Sequence, residues 1–409
     1  MALQSSVTAT AQSISALRGV PWGFKRLAQR LTNISSGKLD LTLPNGQTLA
    51  FSGPNKGPHA AINVHSYGVA GKVIRTGDVG LAESYLAGEW TTPDLAKLLV
   101  TLSMNLDQMD GIASGTSPLM RLLHSLLHRL NANTRAGSLR NIHAHYDLGN
   151  AFYEQWLDPS MTYSSACFGD DQMSLEDAQR HKYQQLARNL DLHEGEHVLE
   201  IGCGWGGFAE YAAREVGARV TGITISQEQY DYAKARMQRT QLNDKVDLRL
   251  VDYRDVQGQY DKVASIEMFE AVGQEFWPEY FRKIRDVLKP AGRAALQIIT
   301  IRDDLFSHYS TRMDFIQRYI FPGGVLPSVK ALHHEIERAG LALNATNMFG
   351  QDYARTLAIW LKNFTKAWAQ IKPLGFDERF NRLWRFYLAY CEAGFRTGRT
   401  NVGQFMMTR

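Results

Sequence analysis

Residues 198–208 read Val-Leu-Glu-Ile-Gly-Cys-Gly-Trp-Gly-Gly-Phe: a short apolar run, then four glycines within six positions. A strand that turns through glycines into a helix lets the backbone approach a ligand closely, because glycine carries no Cβ. Few folds accept such a unit, and a parallel sheet wrapped by helices is the commonest. Gly202, Gly204 and Gly207 also satisfy G-x-G-x-x-G, a dinucleotide fingerprint that is weak when it stands alone. A glycine turn that binds nothing is the plain alternative.

The neighbouring residues separate the candidate ligands. A dinucleotide site carries an acidic residue on the ribose about 20 positions after the turn. Here the next strand pattern ends in Thr224-Ile-Ser226-Gln-Glu-Gln229, with no carboxylate at its tip. Glu200 lies two residues before the first glycine, where it can neutralise a cationic amino-acid head group lying over the turn. The pattern resembles the first motif of S-adenosylmethionine (SAM)-dependent methyltransferases, and SAM is favoured over NAD.

The rest of the chain is consistent with two domains. At 409 residues it is long for one core. Alternating strand and helix patterns from about residue 141 predict strands at His197–Ile201, Arg219–Ile223, Val246–Val251, Lys262–Ile266 and Arg293–Ile299. The expected fold is therefore α/β, a Rossmann-like doubly wound parallel sheet over 141–409. Residues 1–130 read as a smaller α+β domain, joined through a linker at 131–140. Within it, 1–35 have helix-like spacing, while Leu39–Leu43 and Gln47–Phe51 flank the hairpin signal Pro44-Asn45-Gly46. Ala60–His65 and Gly71–Arg75 read as further strands, and helices are expected after Thr76-Gly77-Asp78 and Thr92-Pro93-Asp94. Leu119–Leu130 is basic and amphipathic, a pattern that more often packs on a domain than inserts into a membrane.

Charge is unevenly spread. Residues 1–140 hold 13 Lys/Arg against 7 Asp/Glu, and the remainder holds 32 against 34. A basic N-terminal part points to an anionic surface, and a bilayer face suits it better than nucleic acid, for which no recognition motif is present. An ordinary solvated face is the alternative. Three cysteines without regular spacing, no signal-peptide pattern and no long apolar run point to a cytoplasmic protein at the inner membrane face. The sequence leaves a homodimer open.

Glu270 follows the fourth strand pattern of the sheet, on the floor of the expected cleft, where a carboxylate would face a transferred group. A helix-start carboxylate satisfied by the dipole is the alternative. Glu267 reads as structural or as a support for the cofactor. His143 and His145 lack partners at metal-ligand spacing, so no metal is expected.

With these motifs in view, the chain resembles the cyclopropane-fatty-acyl-phospholipid synthases, related to mycolic acid cyclopropane synthases. The stretches that carry the resemblance are HYDLGNAFYEQWLDPSMTYS, VLEIGCGWGGFAEYAA, VTGITISQEQ, DYRD, MFEAVG, LKPAG, YIFPGGVLPSV and FGQDYARTLAIW. It runs from the segment Gly77–Tyr85 to the C-terminus. The resemblance implies that Tyr163, Ser164, Gly202, Gly204, Thr224, Ser226, Gln229, Tyr253 and Arg254 surround SAM, beside the Glu200 already read as a cofactor-binding residue. It implies methyl transfer to a cis double bond of an unsaturated acyl chain in a membrane phospholipid, followed by proton loss and closure of a cyclopropane ring.

In that family a bound bicarbonate serves as the base. Glu270, Ile299 and Tyr353 fall at three of its places. Ser165 stands where the family has Cys, and Cys167 lies two residues too late to replace it. Gln297 stands where the family has His, and an amide cannot titrate or carry positive charge. The expected product is a cyclopropane ring, with a methyl-branched or methylene chain as the alternative. A small-molecule N-methyltransferase and a non-catalytic lipid- or SAM-binding protein are the more distant alternatives.

Overall fold

The computed structural model describes residues 6–108 and 148–409. Two compact units are present. The first joins the N-terminal residues to Gly375–Thr397, and the second holds the residues up to Leu374 with Gly398–Arg409. The expected linker at 131–140, the amphipathic run 119–130, and His143 and His145 lie outside the described residues.

The first unit contains a five-stranded sheet. Its strands are β1 (Ser6–Thr8), β2 (Ser36–Thr42), β3 (Thr48–Ser52), β4 (Asn55–Val64) and β5 (Trp90–Thr91), in the order β1-β3-β2-β4-β5. The predicted hairpin is β2–β3, with Leu41 opposite Leu49 and Leu39 opposite Phe51. All four of these side chains are buried, as period-2 alternation requires. Asp94 caps the helix Leu95–Met104 by accepting from the Lys97 amide. Two expectations fail here. Residues 71–75 lie in the helix Gly68–Thr76, not a strand, with Val69, Ala70 and Val73 buried; a five-residue segment with two apolar residues does not separate the two periods. The segment 1–35 is broken, with a strand and a short helix Ala11–Ser15 before the helix Trp22–Leu31.

The helix Glu378–Arg396 belongs to the first unit. Arg382 donates to the Tyr85 carbonyl at 3.0 Å, Tyr390 donates to Asp78 at 2.8 Å, and Phe386 packs 5.7 Å from the Tyr85 ring. Its amphipathic spacing announces a buried face without naming what covers it.

The second unit is built on seven strands: β6 (His197–Ile201), β7 (Arg219–Thr224), β8 (Val246–Leu250), β9 (Tyr260–Ile266), β10 (Leu288–Ile301), β11 (Ala342–Met348) and β12 (Thr400–Thr408). Their order is β11-β12-β10-β9-β6-β7-β8. The five expected strands are present and parallel. The sheet as a whole is mixed, because β12 runs antiparallel to both β10 and β11. Both faces are covered. Leu199, Val263 and Leu296 join one apolar cluster, while their chain neighbours Val198, Ala264 and Ala295 join the other. Burial on both faces explains why these strands read as continuous apolar runs. Among the described residues no helix is long and apolar enough to cross a membrane.

Strand order reverses between β6 and β9: the chain runs outward through β7 and β8, then returns to β9 and β10 on the other side. Ligands of open α/β sheets bind outside the carboxyl ends of the strands at such a switch point. This topology sets the glycine turn after β6 beside the Glu267–Glu270 turn after β9. Ser265 Oγ donates to the Ile201 carbonyl at 2.8 Å, joining the two strands just before both turns begin.

Candidate active site

The glycine turn is shaped by its neighbours. Gly202 has φ +79°, and a Cβ there would lie 2.7 Å from the Met268 side chain. A Cβ on Gly207 would collide with the Tyr183 hydroxyl, whereas one on Gly204 would meet nothing within 4 Å. The turn is therefore packed below and open above Gly204. Glu200 is 2% exposed, and its Oε2 has no hydrogen-bond partner among the described residues. Burial pushes its carboxyl well above the ordinary range, against the pull of Lys182 and Arg236. An open glycine cradle over a buried, half-satisfied carboxylate fits a cofactor with a cationic head group.

The other residues expected at the cofactor lie along the carboxyl ends of adjacent strands. Beyond β7, Thr224 Oγ1 donates to Gln229 Oε1 at 2.9 Å and accepts from the Ser226 amide at 3.1 Å. Ser226 caps the helix Gln227–Arg239. Beyond β8, Tyr253 and Arg254 occupy a 3-10 turn. Arg254 forms a two-pronged ion pair with Asp252, at 2.6 and 2.9 Å, so its charge is already matched. Tyr163 stacks among Tyr153, Trp156 and Trp360 at 5.3–5.6 Å. Ser164 is buried and its hydroxyl accepts from Lys182 Nζ at 2.7 Å.

Lys182 is a residue that sequence reasoning missed. It is fully buried on the helix Leu175–Leu190, with its ammonium 4.7 Å from the Tyr183 ring centre. Burial pushes its pKa down to about 8, while Glu267, Asp158 and Glu200 hold it up. A signal was available: Lys182 lies on the stripe Ala178, Gln179, Tyr183, Leu186 and Leu190 that forms the buried face.

The residues expected around the base do converge, but on a different centre. Glu267 Oε1 accepts from the Ser165 amide and from Gln297 Nε2, each at 2.8 Å. Its Oε2 accepts from the Tyr353 hydroxyl at 2.6 Å. The Glu267 amide donates to the Gln297 carbonyl at 2.8 Å, which fixes the backbone as well. Its φ of +50° is left-handed, a conformation costing a non-glycine residue about 1–2 kcal/mol. Outliers of this kind concentrate at functional sites. Glu267 was read from the sequence as a structural or cofactor-supporting residue; what that reading lacked was the fold that brings three donors to it.

Glu270 sits one turn further on. Its Oε1 accepts from the Ile299 amide at 2.5 Å, and its Oε2 is buried without a partner among the described residues. Burial and the adjacent Glu267 charge push its pKa up to about 8. Burial also raises Glu267, but the Tyr353, Lys182, Gln297 and Ser165 contacts oppose that rise. Both residues keep some accessible surface. Two carboxyl groups so placed hold their charges unequally. Three donors favour the charged form of Glu267 against the burial that raises its pKa, whereas Glu270, pushed up to about 8, keeps its proton at neutral pH.

Ser165 contributes its backbone N–H, not its hydroxyl, which donates to the Ala166 carbonyl at 2.8 Å. Ile299 likewise contributes its amide, to Glu270. The thiol of Cys167 is pushed up to about 12, chiefly by burial, and stays protonated. Four groups expected to hold bicarbonate, the Ser165 and Ile299 amides, Gln297 and Tyr353, are thus already engaged by Glu267 and Glu270, so these four do not fit a separate anion.

Known proteins share this architecture. A family model described as mycolic acid cyclopropane synthetase matches residues 133–405. Tuberculostearic acid methyltransferase UfaA1 of Mycobacterium tuberculosis (strain ATCC 25618 / H37Rv) is 37% identical over 349 residues, covering 83% of this chain and 81% of the relative. Cyclopropane-fatty-acyl-phospholipid synthase of Escherichia coli (strain K12) is 34% identical over 340 residues, covering 83% and 85%. Mycolic acid cyclopropane synthase CmaA1, solved with S-adenosylhomocysteine (SAH) and CTAB, superposes with a TM-score of 0.63 at 28% identity, covering 66% of this chain and 98% of that one. The chain belongs to the mycolic acid cyclopropane synthetase family and is a SAM-dependent methyltransferase of the Rossmann-like fold.

Proposed function

We propose that the protein transfers a one-carbon unit from SAM to the cis double bond of unsaturated acyl chains in membrane phospholipids, forming a cyclopropane ring. The observation that carries this proposal is the enclosed pair Glu267 and Glu270 beside the open glycine turn. When bound, SAM supplies an electrophilic methyl group on a sulfonium. An alkene is a weak nucleophile, so catalysis depends on alignment and on a site that excludes water. The rings of Tyr153, Trp156, Tyr163 and Trp360 pack into an apolar cluster in which only Tyr163 keeps more than marginal accessible surface, an aromatic wall that suits an acyl chain better than a polar amine. A fixed negative charge beside that cluster stabilises the cation left on the chain.

A methylene product, converted to a methyl branch only where a separate hydride donor reduces it, is the second proposal, favoured by Gln297. Where the resemblance has a titratable His, Gln297 offers a neutral amide that donates to Glu267. This changes the charge around the cation and hence which proton it loses.

Docking on the anionic inner membrane face is proposed from the basic N-terminal part and the helix Trp22–Leu31. That helix carries Lys25, Arg26 and Arg30 with no acidic residue. Trp22 is 71% exposed, with the Arg26 guanidinium 4.7 Å over its ring. Exposed tryptophan beside basic residues suits the boundary of an anionic bilayer.

The deciding experiment incubates the purified protein with SAM and vesicles of dioleoylphosphatidylglycerol, followed by mass spectrometry and NMR of the acyl chains. A gain of one CH₂ is expected, and NMR distinguishes a ring from a methylene. No SAM-dependent mass gain on any unsaturated phospholipid would defeat the proposal.

A further inference from the structure

Three segments remote in sequence direct donors at one carboxylate: the Ser165 amide, the Gln297 side chain on β10 and the Tyr353 hydroxyl on the helix Gly350–Ile371. An ionised carboxylate only accepts hydrogen bonds, so three donors select the anion at this position.

The orientation of the Gln297 amide is itself imposed. Asn189 Nδ2 donates to Gln404 Oε1 at 2.6 Å, and Gln404 Nε2 donates to Gln297 Oε1 at 3.3 Å. Gln297 Nε2 then donates to Glu267. Every amide in this relay points its donor the same way, and the relay ends on the carboxylate. Gln297 and Ser165 are fully enclosed, whereas Glu267 retains accessible surface. Of these residues and Tyr353, Glu267 is the one that is not buried.

We propose that the Glu267 carboxylate is the enzyme's own proton acceptor, seated where a bound anion would otherwise be needed, and that turnover does not require bicarbonate. This rests on the acyl-chain function proposed above. In the reaction, the alkene π pair forms a C–C bond to the sulfonium methyl carbon, and the C–S bond breaks with its pair remaining on sulfur. The other alkene carbon is left positive. A Glu267 oxygen then takes a proton from the new methyl group, and the released C–H pair closes the ring. If hydride shifts first, loss of a methyl proton gives the methylene instead. Either product is neutral, and Glu267 returns the proton to water after product leaves. A saturated branch would need a hydride donor and is not part of the proposal.

The test compares wild type, Glu267→Gln and Glu267→Gly on dioleoylphosphatidylglycerol vesicles, in buffer purged of carbon dioxide and in buffer with added bicarbonate or formate. Wild-type turnover is expected to be unchanged by bicarbonate. Glu267→Gln should keep its melting temperature and its SAM affinity within threefold, while turnover falls 100-fold or more. Glu267→Gly suits the left-handed backbone and frees the three donors, so bicarbonate or formate should raise its low turnover at least tenfold. Wild-type activity that disappears on purging and returns with bicarbonate would overturn the proposal, as would full turnover in Glu267→Gln. If wild type modifies no unsaturated lipid, the function proposal fails by itself. Calorimetric titration with formate then decides the anion site: binding to Glu267→Gly alone supports it, and any other pattern overturns it.

Discussion

Tyr353 donates its hydroxyl hydrogen to Oε2 of Glu267 at 2.6 Å, joining residues 86 positions apart in the chain. The contact ties the long helix Gly350–Ile371 to the end of β9 and favours the charged form of Glu267 against the burial that raises its pKa. Removing it as Tyr353→Phe leaves the ring packing intact. A hydrogen bond to a charged group contributes about 1.5–3 kcal/mol, so turnover should fall roughly 10- to 100-fold. The acid limb of the kcat profile should also move to higher pH, because a donor that favours the charged form is gone. An unshifted limb in a pH–rate series would show that Tyr353 acts only in packing.

Glu270 gives the fold a pH dependence of its own. Its pKa is about 8 in the folded protein against an ordinary 4.5. Below 4.5 both folded and unfolded chains hold the proton. Between 4.5 and about 8 the unfolded chain releases it while the folded protein keeps it, so this contribution to stability declines as pH rises. Urea unfolding of wild type and Glu270→Gln at several pH values between 5 and 8.5 checks this. The stability of wild type relative to the variant should decrease across that window, and a flat difference would refute the assignment.

Two glycines of the turn should respond differently to alanine. At Gly207 the new methyl meets the Tyr183 hydroxyl, which is held by Thr162 at 2.7 Å. Overpacking of this kind costs about 1–3 kcal/mol, so Gly207→Ala should lower the urea midpoint clearly. At Gly204 the methyl points into open space. Gly204→Ala should cost only the left-handed strain, about 1–2 kcal/mol, and should weaken SAM binding in calorimetry. Unchanged SAM affinity would mean the cofactor does not lie over that residue.

The exposed Trp22 and the Arg26 beside it supply a test of membrane docking. Each basic residue near an anionic surface contributes about 1 kcal/mol. The double variant Trp22→Ala, Arg26→Ala should therefore bind phosphatidylglycerol vesicles at least about tenfold more weakly in a sedimentation assay. Binding equal to wild type would remove this helix from the docking surface.

The five parallel strands and the glycine turn were legible because their signals are local. Residues 198–208 state both a buried strand and a backbone that can approach a ligand closely, and no distant residue is needed to see it. The antiparallel strands Ala342–Met348 and Thr400–Thr408 were not legible. Their exposed and buried positions make sense only once they pair with each other and with β10. The helix Glu378–Arg396 shows the same limit: its buried face is visible in its spacing, but its partner is not.

The sequence by itself determined the parallel sheet, the glycine turn and the family to which the chain belongs, because each depends on residues close together along the chain. Only the tertiary structure decided what stands at the centre of the site. Ser165, Gln297 and Tyr353 had been expected around a separate anion, and the fold directs all three at Glu267. A carboxylate's state is set by the burial and donors that surround it, and those come from segments that meet only when the sheet, its switch point and the long helix are assembled.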